Sequence, residues 1–296
     1  MRANHKSHSL LLSVLLWALS LLPTALSAQV LIPMDESQQR DHLKAYGLLY
    51  NAIENGYDCH WLLNHRGGSF AILNADSKLI QQALLRGVSY ETSSAAQLVQ
   101  LMADLKSPAN NTNTVALQRV PKIAVYSPDG AQPWDDAVTM VLEYADIPFT
   151  TIYDTEVLDG SLGDYQWLHL HHEDFTGQYG KFYGSYRDAA WYINQKASFE
   201  AAAHDMGFDK VSQQKLAVAK TISTFVDNGG FLFAMCSATD SYDIALASQK
   251  TDICESMFDG DPIAPGAAYQ LDYSPCFAFK DFTLETNPLR YEYSNI

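Results

Sequence analysis

The chain has 296 residues, 47% hydrophobic and 18% charged, with a formal net charge of −15. So acidic a balance excludes nucleic acid and anionic membrane surfaces as partners, because both are bound through basic footprints. An abundance of Tyr, Phe and Trp (17, 13 and 5) excludes a disordered chain and suits surfaces that hold a small-molecule or glycan-like ligand.

The amino terminus carries Arg2 and Lys6, then an apolar run from Leu10 to Leu22, a break at Pro23 and the small residues of TALSAQ. This is the layout of a secretory signal over residues 1–28, cleaved after Ser27 or Ala28. The run is short of the roughly 20 residues of a membrane span; a retained anchor is the alternative. No cysteine follows the site, which argues against a lipid anchor. Cleavage removes two basic residues and no acid, taking the net charge from −15 to −17. The expectation is an exported protein, periplasmic, extracellular or surface-associated, with no membrane span after cleavage. The roughly 270 residues that remain suffice for one large domain or two small ones.

Strand and helix then alternate, which predicts an α/β fold of mostly parallel sheets with helices on both faces. QVLIPMD (29–35) reads as a strand, His42–Gly56 as an amphipathic helix, and DCHWLLN (58–64) as a second strand before a turn at Arg66-Gly67-Gly68. A helix near Lys78–Arg86, a short strand at VSYE (88–91) and a helix at Ala95–Leu105 complete an N-terminal half, 29–110. The polar stretch Ser107–Thr114 is the predicted boundary. The second half, 115–296, restarts with a strand at Lys122–Ser127. The loop up to Trp134 follows, then a helix capped by Asp135 or Asp136. Strands at PFTTIYD (148–154) and Tyr165–His172 precede an aromatic insertion at 173–195. A helix from Ser212 to Asp227 stops at Asn228-Gly229-Gly230. Phe231–Met235 reads as a fully buried central strand. The two halves could also form one continuous domain. The end, RYEYSNI, reads as a strand without a tail, as if the natural protein continued past Ile296.

Four cysteines, Cys59, Cys236, Cys254 and Cys276, permit disulfides in an oxidising compartment, with Cys254–Cys276 the favoured pair. None shows CxxC spacing, so no zinc or thioredoxin-type centre is expected, and no cofactor is.

In open α/β sheets ligands sit at the carboxyl ends of the strands, and three such ends carry chemistry. Cys236 directly follows FLFAM and opens a helix with Ser237 and Asp240; there the helix dipole favours the thiolate. His169, His171, His172 and Glu173 end the preceding strand and could supply a general base to Cys236. A metal reading of HLHHED is weaker, because three adjacent side chains cannot all point inward. Trp134, in the loop after Tyr126, and Tyr179, in the aromatic insertion, are candidate ligand-binding residues together with Ser237 and Asp240. The plainer alternatives are a small core cysteine, packing histidines and a surface aromatic cluster. DGDP (259–262) lacks the spacing of a calcium loop and reads as a turn.

The segment FVDNGGFLFAMCSATDS resembles the class I glutamine amidotransferase-like (flavodoxin-like) superfamily over about residues 120–250. That resemblance implies a nucleophilic Cys236 on a sharp strand-to-helix elbow, with YQWLHLHHED bordering the same pocket. The superfamily's elbow is G-x-C-x-G, whereas here Ala234 and Ala238 replace both glycines. Its catalytic histidine lies after the cysteine, whereas here none follows His204. Either His169, His171 or His172 substitutes, a further segment supplies it, or the centre is inactive. The whole chain is also similar to a secreted family from Bacteroidota whose members often bear the label asparagine synthetase B, through IPMD, LLNHRGGSF, QPWDDAV, HLHHEDFTGQYGKFY and FAMCSATD. Ser237, Asp240 and Ser241 match part of that enzyme's S-G-G-x-D-S pyrophosphate loop, but both glycines that let backbone approach phosphate are missing.

Two expectations lead. One is an exported Cys-His hydrolase acting on an amide, ester or sugar-linked substrate. The other is a non-catalytic extracytoplasmic module that uses the same pocket for ligand capture or assembly. ATP-dependent synthesis, the third, is disfavoured outside the cytoplasm, where ATP is scarce.

Overall fold

The computed structural model describes residues 28–128 and 137–296. The expected signal peptide, Trp134 and the caps Asp135 and Asp136 therefore lie outside the described residues, Ala28 excepted. The chain forms two compact units, divided at Val120–Pro121, with Glu143–Ile147 counted to the first. Among the described residues no helix is long and apolar enough to cross a membrane.

The first unit comprises β1 (Ala28–Ile32), α1 (His42–Glu54), β2 (Asp58–Leu63), β3 (Phe70–Ala75), α2 (Ser77–Leu85), β4 (Glu91–Ser93), α3 (Ala95–Leu105) and β5 (Asn113–Leu117). Its strands run in the order β4-β1-β3-β2-β5 and every pairing is antiparallel. This corrects the expectation of parallel strands, and β3 is the reason. Only six residues separate β2 from β3, enough for a hairpin but not for the crossover that parallel pairing requires. The hairpin turns through Arg66, Gly67 and Gly68, all at positive φ. A Cβ on Gly67 would lie 2.4 Å from Met34 O, so only glycine fits there. Period-two alternation then fills both faces. Val30 and Ile32 pack with Leu48 of α1 and Leu79 of α2, while Leu31 and Leu62 pack with Leu98 of α3. Asp41 and Asp76 cap α1 and α2, and Ser94 with Gln97 forms a capping box on α3. Because β5 pairs with β2, the polar stretch before it is a connection inside this unit, and the division falls later.

The second unit comprises β6 (Ile123–Tyr126), α4 (Ala137–Ala145, apart from its last three residues), β7 (Phe149–Ile152), α5 (Asp154–Leu158), β8 (Trp167–Leu170), α6 (Tyr183–Tyr186), α7 (Ala190–Asp205), α8 (Val211–Asp227), β9 (Phe231–Ala234), α9 (Cys236–Ala247) and α10 (Ser256–Asp259). The sheet is parallel, in the order β7-β6-β8-β9. From β6 the chain goes out to β7, then returns to the other side of β6 to form β8. Between β6 and β8 the direction of winding reverses, which opens a crevice at the strands' carboxyl ends. One face packs Tyr126, Leu168 and Leu170 against Val218 and Ile222 of α8 and Tyr242 of α9. β9 corrects the expectation of a central buried strand: it is an edge, and Phe231 and Phe233 are 59% and 38% exposed. An apolar run reports affinity for a core, not how many faces are covered. After α10 the chain is irregular, and the expected strand at 290–296 does not form. The buried carboxylate of Asp243 anchors this stretch by accepting N–H bonds from Phe277, Ala278 and Phe279, at 2.8, 2.7 and 2.7 Å.

Candidate functional site

The carboxyl edge of the parallel sheet gathers ionisable side chains. Tyr126 ends β6, Tyr153 and Asp154 follow β7, and His171 to Asp174 follow β8. Of these, Tyr153, His172, Glu173 and Asp174 line a small crevice of about 50 Å³ together with Tyr179 and Lys215.

Lys215, on α8, is the buried centre of this group at 2% exposure. Its ammonium donates to both oxygens of Asp154 (2.9 and 2.8 Å) and to the hydroxyls of Tyr126 and Tyr153 (2.9 and 2.8 Å). It also lies 4.1 Å from the centroid of the Tyr153 ring, a cation–π contact. Tyr126 in turn donates to Asp154. Burial, reinforced by the Asp154 charge, holds both phenols protonated far above their usual range.

Asp174 is the hub of the loop beyond β8. It accepts from the backbone N–H of Thr176, Gln178 and Gly180, at 3.0, 2.7 and 3.3 Å, and Lys181 stands 3.5 Å away. Burial pushes its carboxyl up, but the Lys181 charge and these donors outweigh burial and hold it below the usual range. The loop is tightly wound: Tyr179 and Lys181 have positive φ, and a Cβ on Gly177 would meet the Ser212 backbone at 2.6 Å. The aromatic insertion is thus a packed cluster in which Tyr179, Phe182 and Tyr192 are buried with Phe258, not a surface flap. Tyr179 keeps a place in the crevice wall, with its hydroxyl donating towards Glu200 and the Phe258 carbonyl.

Cys236 stands at the turn from β9 into α9. It is exposed and its φ is +49°, a left-handed conformation that costs a residue with a Cβ about 1–2 kcal/mol. The end of β8 and the loop after it are stitched to this elbow through their backbone carbonyls. Met235 N donates to Leu170 O (3.0 Å), Ala238 N to His171 O (3.1 Å) and Ser237 Oγ to His172 O (3.3 Å). Ser241 Oγ donates to Glu173 O at 2.8 Å. Cys236 and the histidine pair therefore occupy neighbouring chain segments at one sheet edge.

Not every expected residue joins them. His169 is fully buried inside β8, its Nδ1 is 3.1 Å from Phe233 O, and its ring packs on Phe233. Glu173 Oε2 accepts from the His171 backbone N–H at 3.0 Å, and its residue lines the crevice. Asp240 is buried, with one oxygen on Ser241 N and the other accepting from Ser294, so it ties α9 to the segment around Ser294. The favoured Cys254–Cys276 disulfide is not formed, and all four cysteines are free thiols. Burial raises the Cys59 thiol to about 12 and the Cys276 thiol to about 11; Cys254 is buried and donates to Thr176 O at 3.1 Å.

Sequence reading missed Lys215, although its signal was present. Val211, Gln214, Val218, Ala219 and Ile222 mark the buried stripe of α8, and Lys215 falls on that stripe. A lysine at a core position of an amphipathic helix requires a buried partner. No family model matches this chain, and no curated protein and no solved structure matches it either.

Proposed function

We propose that the protein is a thiol enzyme, exported from the cytoplasm, that uses Cys236 to cleave or transfer an acyl group held as an amide or ester. The observation that carries this reading is the backbone at Cys236: an exposed thiol held in a left-handed turn between a parallel strand and a helix. Strain of this kind persists where it serves a site, and a strand-to-helix elbow presents a nucleophile at the sheet's edge. The order of the parallel sheet, 2-1-3-4 when counted from β6, supports the resemblance to flavodoxin-like amidotransferase folds.

In this mechanism the Cys236 thiolate attacks the substrate carbonyl. A histidine of the 171–172 pair takes the thiol proton and returns it to the departing amine or alcohol, leaving a thioester that water hydrolyses. His172 is the preferred base because it also lines the crevice, whereas His169 is fully buried within β8. The N–H of Ser237, the residue after the nucleophile, is the donor such an elbow offers to the oxyanion.

The test pairs alkylation with turnover. Iodoacetamide at mildly acidic pH should label Cys236 well ahead of Cys276, and Cys236→Ala should abolish hydrolysis of activated acyl esters and primary amides. Labelling no faster than that of free glutathione, or turnover that survives Cys236→Ala, would overturn the proposal. A second reading draws on the crevice itself, where Tyr179, Phe182 and Phe199 stand beside Glu173 and Asp174. Aromatic faces next to carboxylates suit a polyol or glycan ligand, and glycan binding unaffected by Cys236→Ala would favour it.

A further inference from the structure

A second cluster lies apart from the elbow, around Lys210 at the start of α8. Its Nζ stands 3.0 Å from Asp252, 3.0 Å from Asp259 and 2.5 Å from Asp261. The thiol of Cys254 is 1% exposed, and the ligand atoms of Asp252, Cys254 and Asp259 all lie within 4.8 Å of one another. Three carboxylates thus share one ammonium, an excess of two negative charges before the thiol is counted.

Asp259 marks this cluster as more than a salt bridge. Its side chain is 5% exposed, its cationic partner is the ammonium of Lys210, 3.0 Å from Oδ2 and shared with Asp252 and Asp261, and Oδ1 receives no hydrogen bond from the described residues. One ammonium thus serves three carboxylates, and Oδ1 of Asp259 keeps no donor among the described residues. A buried carboxylate set among like charges, with a third share of one ammonium and no donor to Oδ1, is under-satisfied, and a cation is the partner that completes it. A cavity of about 240 Å³ bounded by Lys210, Asp252 and Cys254 gives an ion a route in.

We infer that Asp252, Cys254 and Asp259 bind a borderline-soft divalent cation, with Zn²⁺ as the type, and that Lys210 competes with it for the same carboxylates. A thiolate beside carboxylates selects zinc over calcium or magnesium, which take oxygen ligands alone. Zinc holds sulfur at about 2.3 Å and carboxylate oxygen at about 2.0–2.2 Å, so binding draws the three ligands inward by about an ångström. Cys254 gives up its thiol proton to solvent as the metal–sulfur bond forms, and Lys210 retires to Asp261. Three protein ligands leave a tetrahedral ion one position for water or for Asp261. The spacing D-I-C (252–254) and D-G-D (259–261) is the trace of this site in the sequence, where neither segment pointed to a metal.

Co²⁺ titration of the full chain, monitored by absorption, tests it. One equivalent of Co²⁺ should bring up thiolate-to-cobalt charge-transfer absorption. The band should vanish in Cys254→Ser and need at least about tenfold more metal in Asp259→Asn, whose side chain keeps its shape should the serine variant not fold. Lys210→Met should bind more tightly than wild type, and Zn²⁺ should raise its melting temperature. A purely structural ion cluster behaves in the opposite way, because Lys210→Met is then destabilised and no metal restores it. Absence of the band in both wild type and Lys210→Met, or a band unchanged by Cys254→Ser, overturns the inference. Cys236→Ala should leave the titration unaltered, so the two proposals fail separately.

Discussion

The two units bury different things. Among the described residues, the buried polar side chains of the first unit are neutral (Gln29, Gln39 and Ser69), and its main ion pairs, from Arg66 to Asp35 and Glu91, stay partly exposed. The second unit buries Asp154, Lys181, Lys215, Asp240 and Asp243. An antiparallel sheet with helices on both faces closes its core with apolar and a few neutral polar side chains. A parallel sheet with a reversal in its winding leaves a crevice at its carboxyl edge, and the buried Lys215–Asp154 pair stands beside that crevice. Buried charge is costly, so its concentration in one unit marks that unit as the place to look for a site.

The largest effect tests that claim directly. Lys215→Met leaves Asp154 charged and buried, which should cost about 3–5 kcal/mol by urea denaturation. The double variant Lys215→Met with Asp154→Leu should recover most of that loss, because replacing a whole buried pair by apolar groups is often neutral. Recovery accompanied by loss of turnover or ligand binding sharpens the contrast between the units. A double variant as unstable as the single one reduces the pair to packing and breaks the contrast.

Asp174→Asn comes next, with an expected loss of about 1–3 kcal/mol at neutral pH from weakened charge-assisted bonds. The folded carboxyl sits below its ordinary value. Its contribution is therefore complete above the unfolded pKa, near 4, and disappears as the pH falls through the folded value. Urea midpoints should differ between wild type and variant at pH 7 and converge towards pH 2. A gap that persists at low pH would assign the effect to shape and not to charge.

Much of this was legible before the fold was known, for physical reasons that differ by element. Helices α1, α2 and α3 announce themselves by periodicity, and the strands β6 to β9 by short apolar runs. The antiparallel pairing of the first sheet was not legible, because it depends on recognising FAILNA as a strand close behind β2. The edge position of β9 was hidden because an apolar run does not reveal its neighbours. At the site, Cys236 and the 171–172 histidines could be nominated from their positions at strand ends. The convergence of Lys210 with Asp252, Cys254 and Asp259 could not, since those residues are far apart in sequence and meet only through the irregular chain after α9. Lys215 was the legible residue that went unread.

The smallest effect bears on the elbow, where stability and chemistry should part company. The first unit's left-handed residues other than glycine include Asn64 and Asn74, a type that tolerates this conformation, and Arg66, held by two carboxylates. Cys236 has no such excuse. Replacing it with alanine keeps the Cβ and therefore the strain; replacing it with glycine removes both. Cys236→Gly should be more stable than Cys236→Ala by about 1 kcal/mol, and at least as stable as wild type, while both variants lose the thiol. A protein that gains stability on losing a side chain was holding that side chain for another purpose. If thermal melts place the glycine variant no higher than the alanine variant, the turn is unstrained, and the nucleophile reading must then stand on alkylation alone.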